Sequence, residues 1–130
     1  MKKHFLLTLM FVTLTFTNIF AQNVDVDRAK KIGELFVKES TSVGKERAAV
    51  NASHSHTFVS HEGQPSLYVF NIEGGGFVIV SAEEKVKPVL AYSEKGSFDA
   101  NNIADGFAFT ISSYQEEMSL CKNRYKPDQL

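Results

Sequence analysis

With 130 residues, 14 basic and 15 acidic side chains and a net charge of −1, the chain has neither the length for several domains nor the basic block that nucleic acid demands. Cys121 is its only cysteine, so no intrachain disulfide is available, and stability must come from burying Phe, Tyr, Val and Ile side chains. No basic amphipathic helix after residue 21 argues for a membrane surface.

The chain opens on Lys2, Lys3 and His4, continues as an uncharged apolar run over residues 5–20, and reaches Ala21 and Gln22. A basic start, an apolar stretch and a small residue at its end read as a secretory signal peptide over residues 1–21. Ile19 and Ala21 then stand three places and one place before the cut. The competing reading is a membrane anchor, since the run approaches bilayer-spanning length. Thr8, Thr13, Thr15, Thr17 and Asn18 interrupt it and favour cleavage. With 21 of the 130 residues removed, 109 remain as one small domain at residues 22–130. Lys2 and Lys3 leave with the leader, so 14 basic residues become 12 against 15 acidic ones, a net charge of −3.

Asp25 offers a carboxylate to the free N–H groups of a helix that begins at Val26. Val26, Ala29, Ile32, Gly33 and Phe36 recur at three- and four-residue steps and mark its apolar face. The helix is expected to end over residues 40–42, before Gly44. Residues 45–53 are small and polar and read as a loop or irregular edge. Residues 52–60 read as a strand, best at Thr57, Phe58 and Val59, and residues 61–65 as a turn. The runs at residues 67–72 and 77–80 are rich in β-branched and aromatic side chains and too short for helices. Glu73, Gly74, Gly75 and Gly76 separate them, which is a hairpin signal. A further strand is expected over residues 89–93, with Pro88 tolerated at its start. The last element is a helix capped by Asp105, on which Phe107, Ile111, Tyr114, Met118, Cys121 and Tyr125 step by four and three. Lys126, Pro127 and Asp128 stop it. The order predicts an α+β domain: a small antiparallel β-sheet of about four strands packed against an N-terminal and a C-terminal helix, both on one face.

Three blocks say more. Tyr68-Val69-Phe70-Asn71-Ile72 is followed by Gly75-Gly76-Phe77-Val78-Ile79-Val80-Ser81. Leu90-Ala91-Tyr92-Ser93 is followed by Gly96-Ser97-Phe98-Asp99-Ala100 and then Asn102-Ile103-Ala104. Together they resemble the pro-domain of streptopain-like (peptidase C10) cysteine proteases and the free-standing Spi-type inhibitors similar to it. The resemblance is close from Tyr68 to Tyr114 and looser over the flanking helices. It implies a shared fold and a streptopain-like cysteine protease as partner, and nothing in it calls for a cofactor. Such proteases carry their Cys and His in a separate domain after the pro-domain, and this chain ends where that domain would begin. The resemblance therefore implies that the chain is not an enzyme and holds no catalytic residue. In the zymogen, the pro-domain loop at this place pushes an asparagine into the active-site region and displaces the catalytic histidine. The matching residue is Asn102, in its Asn-Ile-Ala context. The chain is two residues shorter between Ala100 and Asn102, so Asn101 stays open as the alternative. Ile103 and the hairpin residues Gly74, Gly75 and Gly76 join them as candidate protease contacts.

The residues themselves bear on other chemistries. A cysteine nucleophile needs a base and a pocket, whereas Cys121 lies on a helix stripe and is expected to be a small buried hydrophobe. His54 and His56, two apart on a strand, are expected to point to one side, and His61 follows; three imidazoles suit zinc or copper. The other reading is exposed polar positions on an edge strand and its turn. No carboxylate or cysteine stands at a complementary spacing, so none is assigned to a metal. Gly74, Gly75 and Gly76 lack the Lys and Ser/Thr of a phosphate loop and are read as permitting positive φ and close backbone approach. Asp99, Asp105, Glu83 and Glu84 have no matched acid/base partner and read as solvated surface. Residues 96–103 form a polar loop between sheet and helix, a place where binding residues sit.

The expectation is a secreted or periplasmic inhibitor of a streptopain-like protease, acting by insertion of this loop. It has no nucleic-acid partner and no membrane association after leader cleavage. A detached pro-segment acting as a folding aid is the alternative, and a His-based metal-binding envelope protein is a third reading.

Overall fold

The computed structural model describes residues 23–40 and 49–124. The expected leader over residues 1–21, Tyr125 and the expected stop at residues 126–128 lie outside them.

The first helix, α1, spans Val26–Ser40. Asp25 caps it as its sequence predicts: the carboxylate accepts from the Arg28 N–H at 2.8 Å. Ala29, Gly33 and Val37 are buried, with Ile32 and Phe36 packed beside them. Val26, placed on this face by its spacing, lies in the first turn and stays 36% exposed, while Val37 takes the buried position at the other end. Gly33 lets the helix approach closely, since a Cβ there would stand 3.0 Å from Val78 Cγ1.

The strands β1 (Ala52–Val59), β2 (Pro65–Ile72), β3 (Phe77–Ser81) and β4 (Val89–Ser93) form one antiparallel sheet in the order β1-β2-β3-β4. A turn closed by the Ser60 N–H on the Gln64 carbonyl at 2.8 Å joins β1 to β2. The last helix, α2, spans Asp105–Arg124. The α+β class and the two flanking helices stand as expected, but their placement on one face does not. Tyr68, Phe70, Ile72, Val78 and Val80 pack with Ala29 and Val37 of α1. Leu67, Val69 and Ile79 pack with Ile111 and Met118 of α2, backed by Phe107 and Tyr114. Successive side chains of a strand point to opposite faces, so the helices lie on opposite sides of the sheet. The cause is legible in β2 and β3, whose apolar residues occupy odd and even positions alike: both faces need a cover.

Three smaller expectations are corrected. In β1, His54 pairs with Phe70 and His56 with Val69, which leaves Ser55 as an extra residue in a bulge. Alternation breaks there. The His54 ring lies 5.8 Å from Phe70 on the α1 side, and His56 lies 4.7 Å from Phe58 and 6.0 Å from Phe98 on the α2 side. The cap of α2 is Ala104, whose carbonyl accepts from Phe107 N–H at 2.9 Å and Ala108 N–H at 3.0 Å. Asp105 is instead the first helical residue, its charge near the positive end of the helix dipole. Cys121 is exposed, because the final turn of α2 buries none of its residues. Among the described residues no helix is long and apolar enough to cross a membrane.

Candidate functional site

After β4, residues 94–104 run back across the end of the sheet, over the β2–β3 hairpin, to reach α2. The hairpin supplies the platform. Gly74, Gly75 and Gly76 all have positive φ, as expected, and Gly76 N–H bonds the Gly96 carbonyl at 2.7 Å. Gly76 meets two demands that no side chain satisfies together: a φ of +99° and a Cβ position 2.4 Å from the Ser93 carbonyl oxygen. Close approach at Gly76 thus seats the start of the loop on the hairpin, whereas Gly74 faces open space.

Phe98 is the first anchor. Its side chain is 8% exposed, with ring centroids 5.6 Å from Phe107, 6.0 Å from Phe58 and from His56, and 6.4 Å from Phe77. Its backbone is held by side chains of the sheet. Phe98 N–H donates to Asn71 Oδ1 at 2.7 Å, and the Phe98 carbonyl accepts from Asn71 Nδ2 at 3.1 Å and Ser55 Oγ at 3.3 Å. Ile103, partly buried against the same apolar layer, is the second anchor.

Between these anchors stands a four-residue tip, Asp99, Ala100, Asn101 and Asn102, exposed throughout. Asp99 folds it: its carboxylate accepts from Asn101 N–H at 2.9 Å and its carbonyl from Asn102 N–H at 3.1 Å. The aspartate therefore does the turn-forming work that an asparagine often does, and Asn101 and Asn102 keep both carboxamides without a partner among the described residues. Three of the candidate contacts from the sequence, Asn101, Asn102 and Ile103, thus share one short segment, with the glycine hairpin under its root.

Other candidates are not brought together. The bulge separates His54 from His56, His61 lies in the β1–β2 turn, and His54 Nε2 is engaged with Thr57 Oγ1 at 2.8 Å. Among the described residues no three His, Cys, Asp or Glu side chains form a metal-binding group. A groove of about 490 Å³ between α2 and the β1–β2 turn, lined by Val59, His61, Pro65 and Gln115, contains none of the loop residues.

One residue escaped the sequence reading of the site. Asn71 is an amide in the otherwise apolar run of β2, and a half-buried amide must find partners, which was the available signal.

The chain belongs to the Spi protease inhibitor family, whose model matches residues 21–118. Streptopain of Streptococcus pyogenes is 45% identical over 53 residues, covering 41% of this chain and 13% of streptopain. The thiol protease/hemagglutinin PrtT of Porphyromonas gingivalis is 27% identical over 84 residues, covering 64% of this chain and 10% of that protein. The chain thus matches only a small part of either relative's length. No solved structure matches it.

Proposed function

We propose that residues 22–130, freed of a leader over residues 1–21, form a secreted or periplasmic inhibitor of a streptopain-like cysteine protease, with Asn102 as the inserted residue. The observation that carries the mechanism is the exposed tip between Phe98 and Ile103, with the Asn102 amide unengaged among the described residues. A cysteine protease needs its thiolate and imidazole in contact. A carboxamide wedged between them offers hydrogen bonds without charge and moves the base out of reach. A turn already held by Asp99 loses little further entropy on binding. Blocking of this kind presents no cleavable bond, and the chain itself needs no catalytic residue.

The test is inhibition of a purified streptopain-like protease by residues 22–130 beside Asn102→Ala and Asn101→Ala. Asn102→Ala is expected to weaken inhibition by about tenfold or more, a loss of some 1.4 kcal/mol, with Asn101→Ala close to wild type. Undiminished turnover at high excess of the wild-type domain overturns the reading. Equal inhibition by all three moves the contact away from the tip, to Ile103 or the hairpin glycines.

A second reading, a pro-segment that aids the folding of a protease, is favoured by one finding: the 45% identical relative is streptopain. Refolding the protease with and without the domain separates the two. A folding aid raises the yield of active enzyme after the domain is removed; an inhibitor leaves that yield unchanged.

A further inference from the structure

We propose that Asn71 is the positioning residue of the inhibitory tip: its carboxamide fixes the register of the loop by binding both backbone groups of Phe98. The inference rests on the inhibitory reading of residues 99–102 for its consequence, though not for its geometry.

Residues 97–99 lie in no strand, so the ladder that would align them is missing. The Asn71 side chain replaces it. It accepts from the Phe98 N–H at 2.7 Å and donates to the Phe98 carbonyl at 3.1 Å, the two-bond exchange that one strand residue makes with another. Both partners are fixed in type, so the amide orientation follows from them: only the oxygen can receive an N–H, and only the nitrogen can serve a carbonyl. Asn71 itself is in β2, paired with Phe77 and with Ser53, and so is anchored by two neighbouring strands. Ser55, the extra residue of the β1 bulge, adds its hydroxyl to the same carbonyl at 3.3 Å. The bulge thereby acquires a purpose, since a regular β1 would place one fewer residue on this side.

Asp99 follows Phe98 directly, and its carboxylate and carbonyl set the turn that presents Asn102. A slip of one residue at Phe98 would carry the whole tip with it. Upstream, the bond from Gly76 N–H to the Gly96 carbonyl holds the root of the loop two residues before Phe98, and the Asn71 pair sets the register from there to the tip. Burial of the Phe98 ring also resists a slip, but a ring among four others tolerates small shifts that a pair of hydrogen bonds does not.

Asn71→Asp tests this with a change of one group. The ionised carboxylate still accepts from Phe98 N–H, but meets the Phe98 carbonyl with no proton to give; protonation restores a donor. The titratable neighbours are His56 on β1, against the Phe98 ring, and Asp99 in the loop, with Glu73 two residues along, bonded to Asn51 Nδ2 at 3.0 Å. The β3 and α2 residues against the Phe98 ring are Phe77 and Phe107, which do not titrate. These groups and the protease are common to both proteins, so the ratio of variant to wild-type inhibition constants at each pH removes their direct contribution.

The ratio is expected to reach about tenfold at neutral pH and to fall towards one as the pH drops through the carboxyl's titration. Amide hydrogen exchange on the free full domain is the second readout. Residues 98–102 are expected to exchange faster in Asn71→Asp at neutral pH, with β2 and β3 still protected. A pH-independent ratio near one, or unchanged exchange over residues 98–102, overturns the inference. Should Asn71→Asp fail to fold, Asn71→Ser, which shortens the side chain out of reach of both Phe98 backbone groups without adding charge, takes its place; unchanged exchange over residues 98–102 there also counts against the clamp. If the wild type inhibits no protease, the inhibitory reading fails while the exchange result still decides whether Asn71 holds the loop.

Discussion

Tyr68 shows how one buried side chain ties a local bond to the behaviour of the domain. Its ring is 6% exposed, and its hydroxyl donates to the Val24 carbonyl at 2.9 Å, tying the segment before α1 to the sheet. Burial, assisted by the negative charge of Asp25, raises its pKa above the ordinary value of 10.0. The neutral phenol is therefore favoured by the fold. Its contribution is complete below pH 10.0 and is lost as the pH rises through the folded-state pKa, because the unfolded chain ionises first. Tyr68→Phe is expected to cost about 0.5–1.5 kcal/mol at neutral pH for the lost bond, and to flatten the alkaline fall in stability. Urea denaturation of both proteins at neutral pH and above pH 10 measures the difference; parallel alkaline slopes would assign the fall to other groups.

Among the elements, α1 and the sheet are matched by the absence of a side chain at Gly33. Alanine is the better helix former by about 0.5–1 kcal/mol, yet its methyl would stand 3.0 Å from Val78 Cγ1, on a side chain with no exposed surface in a close-packed layer. Gly33→Ala is expected to lower the thermal midpoint despite its higher propensity, and Gly33→Ala with Val78→Ala to lose less than the sum of the two single changes. Strict additivity would place the clash elsewhere. Much at this scale was legible: the steps of Ala29, Ile32, Gly33 and Phe36 gave α1, and the glycine-separated apolar runs gave the β2–β3 hairpin. What periodicity could not give was decided by third parties. His54, Ser55 and His56 look like regular alternation, and only pairing with β2 reveals the bulge. Cys121 continues the α2 stripe in sequence, but burial requires something beneath it, and the last turn buries no residue. At the candidate site, the loop and its asparagines could be read from resemblance; the Asn71 clamp required knowing that Phe98 comes back over β2.

For the molecule as a whole, the two apolar layers are separate in membership and joined through the same two strands, since β2 and β3 send alternate residues into each. Phe70, fully buried in β2, sits where damage to one layer reaches the other. Phe70→Ala is expected to cost about 3–5 kcal/mol, a large share of the 5–15 kcal/mol that typically holds a domain together. The remaining stability is expected to disappear in one step, with far-ultraviolet and aromatic circular dichroism transitions coinciding. Separated transitions would mean that the α1 and α2 layers unfold independently. The same arrangement leaves β1 and β4 as rims. The β1 rim is interrupted by the extra residue Ser55, its pairing with β2 shifts again at Ser66 of β2, and the β4 rim is only five residues long. Neither offers the long, straight row of free N–H and C=O groups onto which a strand from another molecule can stack, so the irregularity that helps seat the loop also guards the protein against fibril growth.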